Sequence, residues 1–125
     1  MIAGVTAIGL SGCAAPAPPP RTPVVTWHQL GSWTGHGSLQ TESFTGETGA
    51  LRVRWTTTNP AAGKSGRFSV AIHSAISGRP LQTMVEQSGA GQGEAFMAED
   101  PRIFFAVVDS ADIDWTLAVD EGMTR

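Results

Sequence analysis

Leu51-Arg52-Val53-Arg54-Trp55-Thr56 alternates apolar and polar side chains one by one. Successive side chains of an extended chain point to opposite faces, so this stretch presents Leu51, Val53 and Trp55 to one side and two arginines and a threonine to the other. A helix would scatter the same residues around its circumference. The stretch therefore reads as a half-buried β-strand. The same period recurs twice. Phe68, Val70 and Ile72 alternate with Ser69, Ala71 and His73, and Trp115, Leu117 and Val119 alternate with Thr116, Ala118 and Asp120.

Working outward, Ile103 to Val108 reads IFFAVV and is apolar on both faces. It suits a central strand covered on both sides, or one with a face at an interface. Weaker strand patterns run from Val24 to Leu30, Ser38 to Phe44, Leu81 to Gln87 and Glu94 to Met97. Glu94 to Glu99 is the one stretch that competes as a helix, of one to two turns. Turn residues separate the patterns: Gly35-His36-Gly37, Gly46 to Gly49, Asn59-Pro60, Gly63 to Gly66, Ser77 to Pro80 and Ser88 to Gly93. About eight short strands at this spacing predict an all-β fold, an antiparallel β-sandwich of jelly-roll type. Its expected span is residues 24–121.

The chain has 125 residues, enough for one domain with a real core. Its single cysteine excludes an internal disulfide. The formal charge is −3, and eight Lys and Arg are scattered singly, so no basic stripe offers itself to nucleic acid.

Upstream, Met1 to Leu10 is apolar and uncharged. It is shorter than the about 20 residues that cross a bilayer and matches the core of a signal peptide. Leu10-Ser11-Gly12-Cys13 follows. This order resembles the lipobox of bacterial lipoproteins. The resemblance implies a signal peptide over residues 1–12, a diacylglycerol on the Cys13 thiol, cleavage before Cys13 and acylation of the new amine. No Lys or Arg precedes the apolar run, a departure from the usual basic start. The competing reading is a buried N-terminal strand with a free thiol. Ala14 to Pro23, AAPAPPPRTP, reads as a semi-rigid spacer, so residues 13–23 form a lipidated linker.

The strand pattern also resembles small CUB-like jelly-roll domains of secreted proteins. The residues that carry this are Trp27, Trp33, Gly35-His36-Gly37, Thr41 to Phe44, Leu51 to Trp55, Phe105 and Trp115 to Val119. The chain departs from extracellular CUB domains in lacking their disulfide cysteines. The resemblance implies an extracytoplasmic interaction module without catalysis.

The chemistry-bearing residues are few. His28, His36 and His73 have no metal-ligand spacing. Gly89, Gly91 and Gly93 read as a hairpin loop, because no helix follows them as a dinucleotide site requires. No serine stands in a nucleophile elbow. Asp109, Asp112 and Asp114 lie between two strong strands, where three carboxylates suit Ca²⁺ and a tight turn alike. The ligand-binding candidates are Trp33 and His36 in Gly31 to Gly37, with Lys64 and Arg67 around Asn59 to Gly66. Trp33 is the tryptophan whose surroundings favour exposure, although core packing competes for all four. The expected function is a membrane-anchored module of the cell envelope, facing periplasm or exterior, that binds a protein, glycan or envelope component. The second reading is a structural subunit of an envelope complex. The third is a hydrolytic enzyme.

Overall fold

The computed structural model describes residues 24–124. The signal-peptide, Cys13 and linker readings lie outside the described residues. Nine strands follow in order: β1 (Val25–Gly35), β2 (Leu39–Gln40), β3 (Phe44–Gly46), β4 (Ala50–Thr58), β5 (Arg67–Ser74), β6 (Pro80–Ser88), β7 (Gly91–Ala98), β8 (Arg102–Ala111) and β9 (Asp114–Thr124). They form two antiparallel sheets. One has the order β1-β9-β4-β7, the other β2-β8-β5-β6, with β3 also pairing β8. Most connections cross from one sheet to the other, and this interleaving is the jelly-roll arrangement of an all-β sandwich.

The alternating stretches account for the core. Leu51, Val53, Phe68, Val70, Ile72, Trp115, Leu117 and Val119 are all buried between the sheets. From β8 only Phe104, Ala106 and Val108 join them. Ile103 is exposed and Phe105 and Val107 are half-buried, so the apolar run IFFAVV is covered on one face and open on the other.

Four readings are corrected here. Glu94 to Glu99 is not helical, since β7 covers Gly91–Ala98 and pairs with β4. The Gly89-Gly91-Gly93 loop shrinks to a turn at Gly89 and Ala90. The first strand does not stop at Leu30 but runs on to Gly35. Inside β7 and at the end of β1, glycines leave room for neighbouring rings. A Cβ on Gly93 would stand 2.7 Å from Trp55 Cζ2, and one on Gly35 2.7 Å from Trp115 Cζ2. Finally, Ser38 to Phe44 is two strands, not one. Thr41 bridges the break, where its amide donates to Ala106 O at 2.9 Å and its hydroxyl accepts from Ala106 N at 3.0 Å.

The strand directions define two ends. Val25 pairs with Thr124, so the chain enters beside its last strand. That end also holds the β3–β4, β5–β6 and β7–β8 connections. The far end holds the connections β1–β2, β4–β5, β6–β7 and β8–β9. Backbone bonds from Ala61 N to Asp112 O and from Gly89 N to Gly66 O tie three of these far-end loops together.

Trp115 links core to far end. Its ring packs 5.7 Å from Phe68, and its Nε1 donates to Gly37 O at 2.9 Å. Truncating a buried aromatic costs about 3–5 kcal/mol in lost contacts and a residual cavity. Trp115→Ala is therefore expected to lower unfolding free energy by about that amount, read from denaturant melts of the full chain. A loss under about 1 kcal/mol would show that Trp115 is not a core anchor.

Candidate functional site

The sheet β1-β9-β4-β7 buries one face and turns the other to solvent. Cross-strand register orders that outer face into rows. Nearest the far end, Asp114 lies opposite Thr58, with His36 just past the end of β1. The next row is Thr34, Thr116, Thr56 and Gln92. Then come Ser32, Ala118, Arg54 and Glu94, followed by Gln29, Asp120, Arg52 and Phe96. Trp27 ends the series beside Gly122.

The middle rows carry small side chains between larger groups. A depression of about 330 Å³ opens there, lined by Ser32, Thr34, Thr56, Thr116, Ala118 and Arg54, with Trp33, Leu117 and Trp55 contributing beneath. Its walls offer hydroxyls that both donate and accept.

Both borders are held by carboxylates. At the far end, Asp114 Oδ1 lies 2.6 Å from His36 Nδ1, and its Oδ2 accepts from Asn59 Nδ2 at 3.2 Å. One carboxylate thus gathers the ends of β1, β4 and β9. The His36 bond and then the Asn59 bond hold the Asp114 carboxyl below the usual range. Asn59 adopts φ 53°, a left-handed conformation that Asn tolerates better than most residues.

At the other border Asp120 is 2% exposed. Arg54 grips it as a fork, Nε to Oδ2 at 2.6 Å and Nη2 to Oδ1 at 3.0 Å. Arg52 Nε adds a third bond to Oδ2 at 2.9 Å. The Arg52 guanidinium also stands 4.6 Å over the Trp27 ring, a cation–π contact, and Trp27 packs 5.7 Å from Phe96. Burial pushes the Asp120 carboxyl up. The bonds from Arg54 and Arg52 outweigh it, and the group sits below the usual carboxylate range. The same Asp120 bond raises the Arg54 guanidinium further above its ordinary value.

The sequence candidates fall unevenly on this geometry. His36 and Asp114 meet at the upper border of the depression. Trp33 is not the exposed contact its polar neighbours suggest. It lies within β1, packs against the core beside Phe44 at 6.0 Å, and donates from Nε1 to Glu42 Oε1 at 2.6 Å. Lys64 and Arg67 stay at the far-end loops, where Lys64 faces Asp112 at 3.8 Å and Arg67 faces Asp109 at 3.3 Å. Asp109, Asp112 and Asp114 do not converge. The segment between them crosses from one sheet to the other, so Asp109 sits on one outer face and Asp114 on the opposite one, each on its own partners. Among the described residues, no three His, Cys, Asp or Glu side chains are grouped to hold a metal ion. Ser38, two positions after His36, turns its hydroxyl toward Ser110 O and Asp109.

Reading the sequence alone misses Arg52, Arg54, Asp120 and the threonine row. The available cue was the polar phase of the alternating strands, where Thr56 and Thr116 share a parity with Arg54 and Ala118. Comparison of the chain with known protein families, curated proteins and solved structures finds no match.

The Asp120 clamp makes stability depend on pH with a definite sign. A carboxyl lowered in the folded state favours folding while it stays charged, above the unfolded value of about 3.9. That contribution is lost as the pH falls through the lower folded value. The melting temperature should therefore drop below about pH 4, and Asp120→Asn should flatten that acid limb. Asp114→Asn separates the share of the second lowered carboxyl, which acts in the same direction. An acid limb unchanged in Asp120→Asn would remove Asp120 as its source.

Proposed function

We propose that the domain is a non-catalytic binding module of the cell envelope, held to a membrane through lipid on Cys13, and that it takes a hydroxyl-rich ligand such as an envelope glycan on the outer face of the β1-β9-β4-β7 sheet. The observation that carries the binding reading is the depression itself. Small hydroxyl side chains sit in the middle of a strand face, between an anchored imidazole–carboxylate pair and an anchored guanidinium fork. Groups already fixed by Asp114 and Asp120 lose little further side-chain entropy on meeting a ligand. Hydroxyls that donate and accept suit a partner built from hydroxyls. The face is also reached from the far-end loops, away from the point where the Pro-rich segment joins. The lipid reading rests on Leu10-Ser11-Gly12-Cys13.

A second reading draws on the other sheet. Ile103, Phe105 and Val107 leave an apolar stripe on the outer face of β8, which supports a structural subunit docked in an envelope complex. Phe105→Glu should then release co-purifying envelope subunits while leaving glycan retention unchanged.

For the binding face, Thr116→Trp fills the depression from an exposed strand position, and strands accept aromatics readily. Retention of the full chain on immobilised envelope glycan should fall at least tenfold, with little change in melting temperature. Retention equal to the parent chain would reject the face. Turnover on esterase, peptidase or glycosidase substrates that vanishes on changing one side chain would reject the non-catalytic assignment.

For the anchor, two or more acyl chains hold a protein on a membrane stably, at about 0.8 kcal/mol per buried CH₂. Cys13→Ser should leave the chain unprocessed or in the aqueous phase after detergent partition. A mature-size band still in the detergent phase would end the lipid assignment.

A further inference from the structure

The exposed large apolar side chains are unevenly shared between the two ends of the sandwich. Val24 is 61% exposed, Val25 48%, Ile76 79% and Ile103 38%. These four belong to the end where the chain enters; of the other exposed large apolar side chains, Phe96 (55%) is on the outer face of β7 and Leu39 (37%) opens β2 toward the far end. Val25 pairs with Thr124 at the very start of β1, and Ile76 is on the β5–β6 turn. Ile103 follows the first residue of β8 and is tied to that turn, because Ala75 N donates to Ile103 O at 2.8 Å. The far-end loops carry His36, Lys64, Asp112 and Asp114, and the exposed large apolar side chain beside them is Leu39 at the start of β2.

Among the described residues the entering end is slightly acidic, with Arg79 and Arg102 against Glu47, Glu99, Asp100 and the buried Glu121. Arg102 pairs with Glu99 at 3.2 Å and with Asp100 at 3.7 Å, leaving Arg79 and Glu47 as opposite charges on separate turns. Among the described residues nothing there forms a basic patch for anionic headgroups. What the end offers is aliphatic surface on two sides of the sandwich.

Residues 1–23 lie outside the described structure and join it at Val24, in the middle of this surface. Cys13 is eleven residues upstream, within about 40 Å even when the intervening segment is fully extended. We infer that the entering end is a membrane-apposed surface, with Val24, Val25, Ile76 and Ile103 seated in the headgroup region of the bilayer that holds the anchor. This deepens the lipid-anchor reading and rests on it. The tether holds these side chains at high effective concentration above the bilayer, so a contact too weak to recruit the domain by itself is populated once the anchor is in place. Because the contact is aliphatic and its described surroundings carry no excess of positive charge, it does not depend on anionic lipid. The seated domain points its far-end loops into the aqueous space and leaves the outer face of the β1-β9-β4-β7 sheet lateral and accessible.

The chain's one cysteine is consumed by lipidation in this reading, so an added cysteine is the single free thiol of the processed protein. Ile76→Cys and Ala62→Cys, each carrying an environment-sensitive fluorophore, report from the entering and far ends. The full lipidated chain is reconstituted in vesicles of phosphatidylcholine, and of phosphatidylethanolamine with phosphatidylglycerol, with part of the acyl chains brominated as quencher. Quenching at position 76 should exceed that at position 62 at least threefold, equally in both compositions. Adding Val24→Asp with Val25→Asp should bring position 76 down toward position 62, with the β circular dichroism unchanged. Equal quenching at both positions while the protein floats with the vesicles overturns the seating and leaves the anchor standing. Quenching that requires phosphatidylglycerol overturns the aliphatic contact. A processed chain that does not float with vesicles overturns the anchor, and the seating with it.

Discussion

In the β1-β9-β4-β7 sheet every tryptophan lies against a glycine. Trp55 covers Gly93 across the strand pair, Trp115 covers Gly35, Trp27 lies beside Gly122, and Trp33 folds over Gly31 two positions before it on its own strand. Trp33, Trp55 and Trp115 do this on the core side, where the sandwich is about 10 Å thick, and Trp27 does it on the outer face. Lying flat, an indole needs a neighbour without a side chain, and it replaces the packing that the glycine cannot provide. The rings and the gaps are thus one constraint. Where the pairing is in place the strands continue through residues that would otherwise weaken them.

This constraint also explains where a sequence reading succeeds and where it fails. Leu51 to Trp55, Phe68 to Ile72 and Trp115 to Val119 announce themselves because alternation is a local property. Gly31, Gly35 and Gly93 look like turn residues, and locally they are. Their strand identity comes from rings up to about 80 positions away in sequence. The candidate site divides in the same way. His36 and Asp114 stand out singly as functional residue types, but their meeting at 2.6 Å is made by strand pairing. The threonine row has no signature at all, since Thr on the outward phase of a strand is ordinary. Its meaning is positional: Thr34, Thr116 and Thr56 come from three strands and align only in the folded sheet.

The outer face shows how a strand surface becomes something other than a solvated side. Asp120 is buried on the outward phase, beneath the side chains of its neighbours. A carboxylate so placed is tolerable only if it is fully paired. Arg54 and Arg52 supply that pairing, and in doing so both become fixed. Arg52 then lies over Trp27, so the charge network and the aromatic edge of the sheet are one rigid unit. The opposite face of the sandwich has no such unit around Phe105 and Val107, and the two outer surfaces differ in chemistry as a result.

The pairing of Val25 with Thr124 has a kinetic side. Strand β9 lies between β1 and β4, so the sheet has no centre until the final strand is present. Contacts this distant in sequence form slowly, because the loop-closure entropy must be met before any pairing compensates it. A chain emerging from its N-terminus exposes β1 and β4 long before their shared partner arrives. β4 finds β7 first, but β1 stays unpaired in that sheet until the eleven residues of β9 are available. The topology itself thus postpones closure of this sheet until its last strand is available.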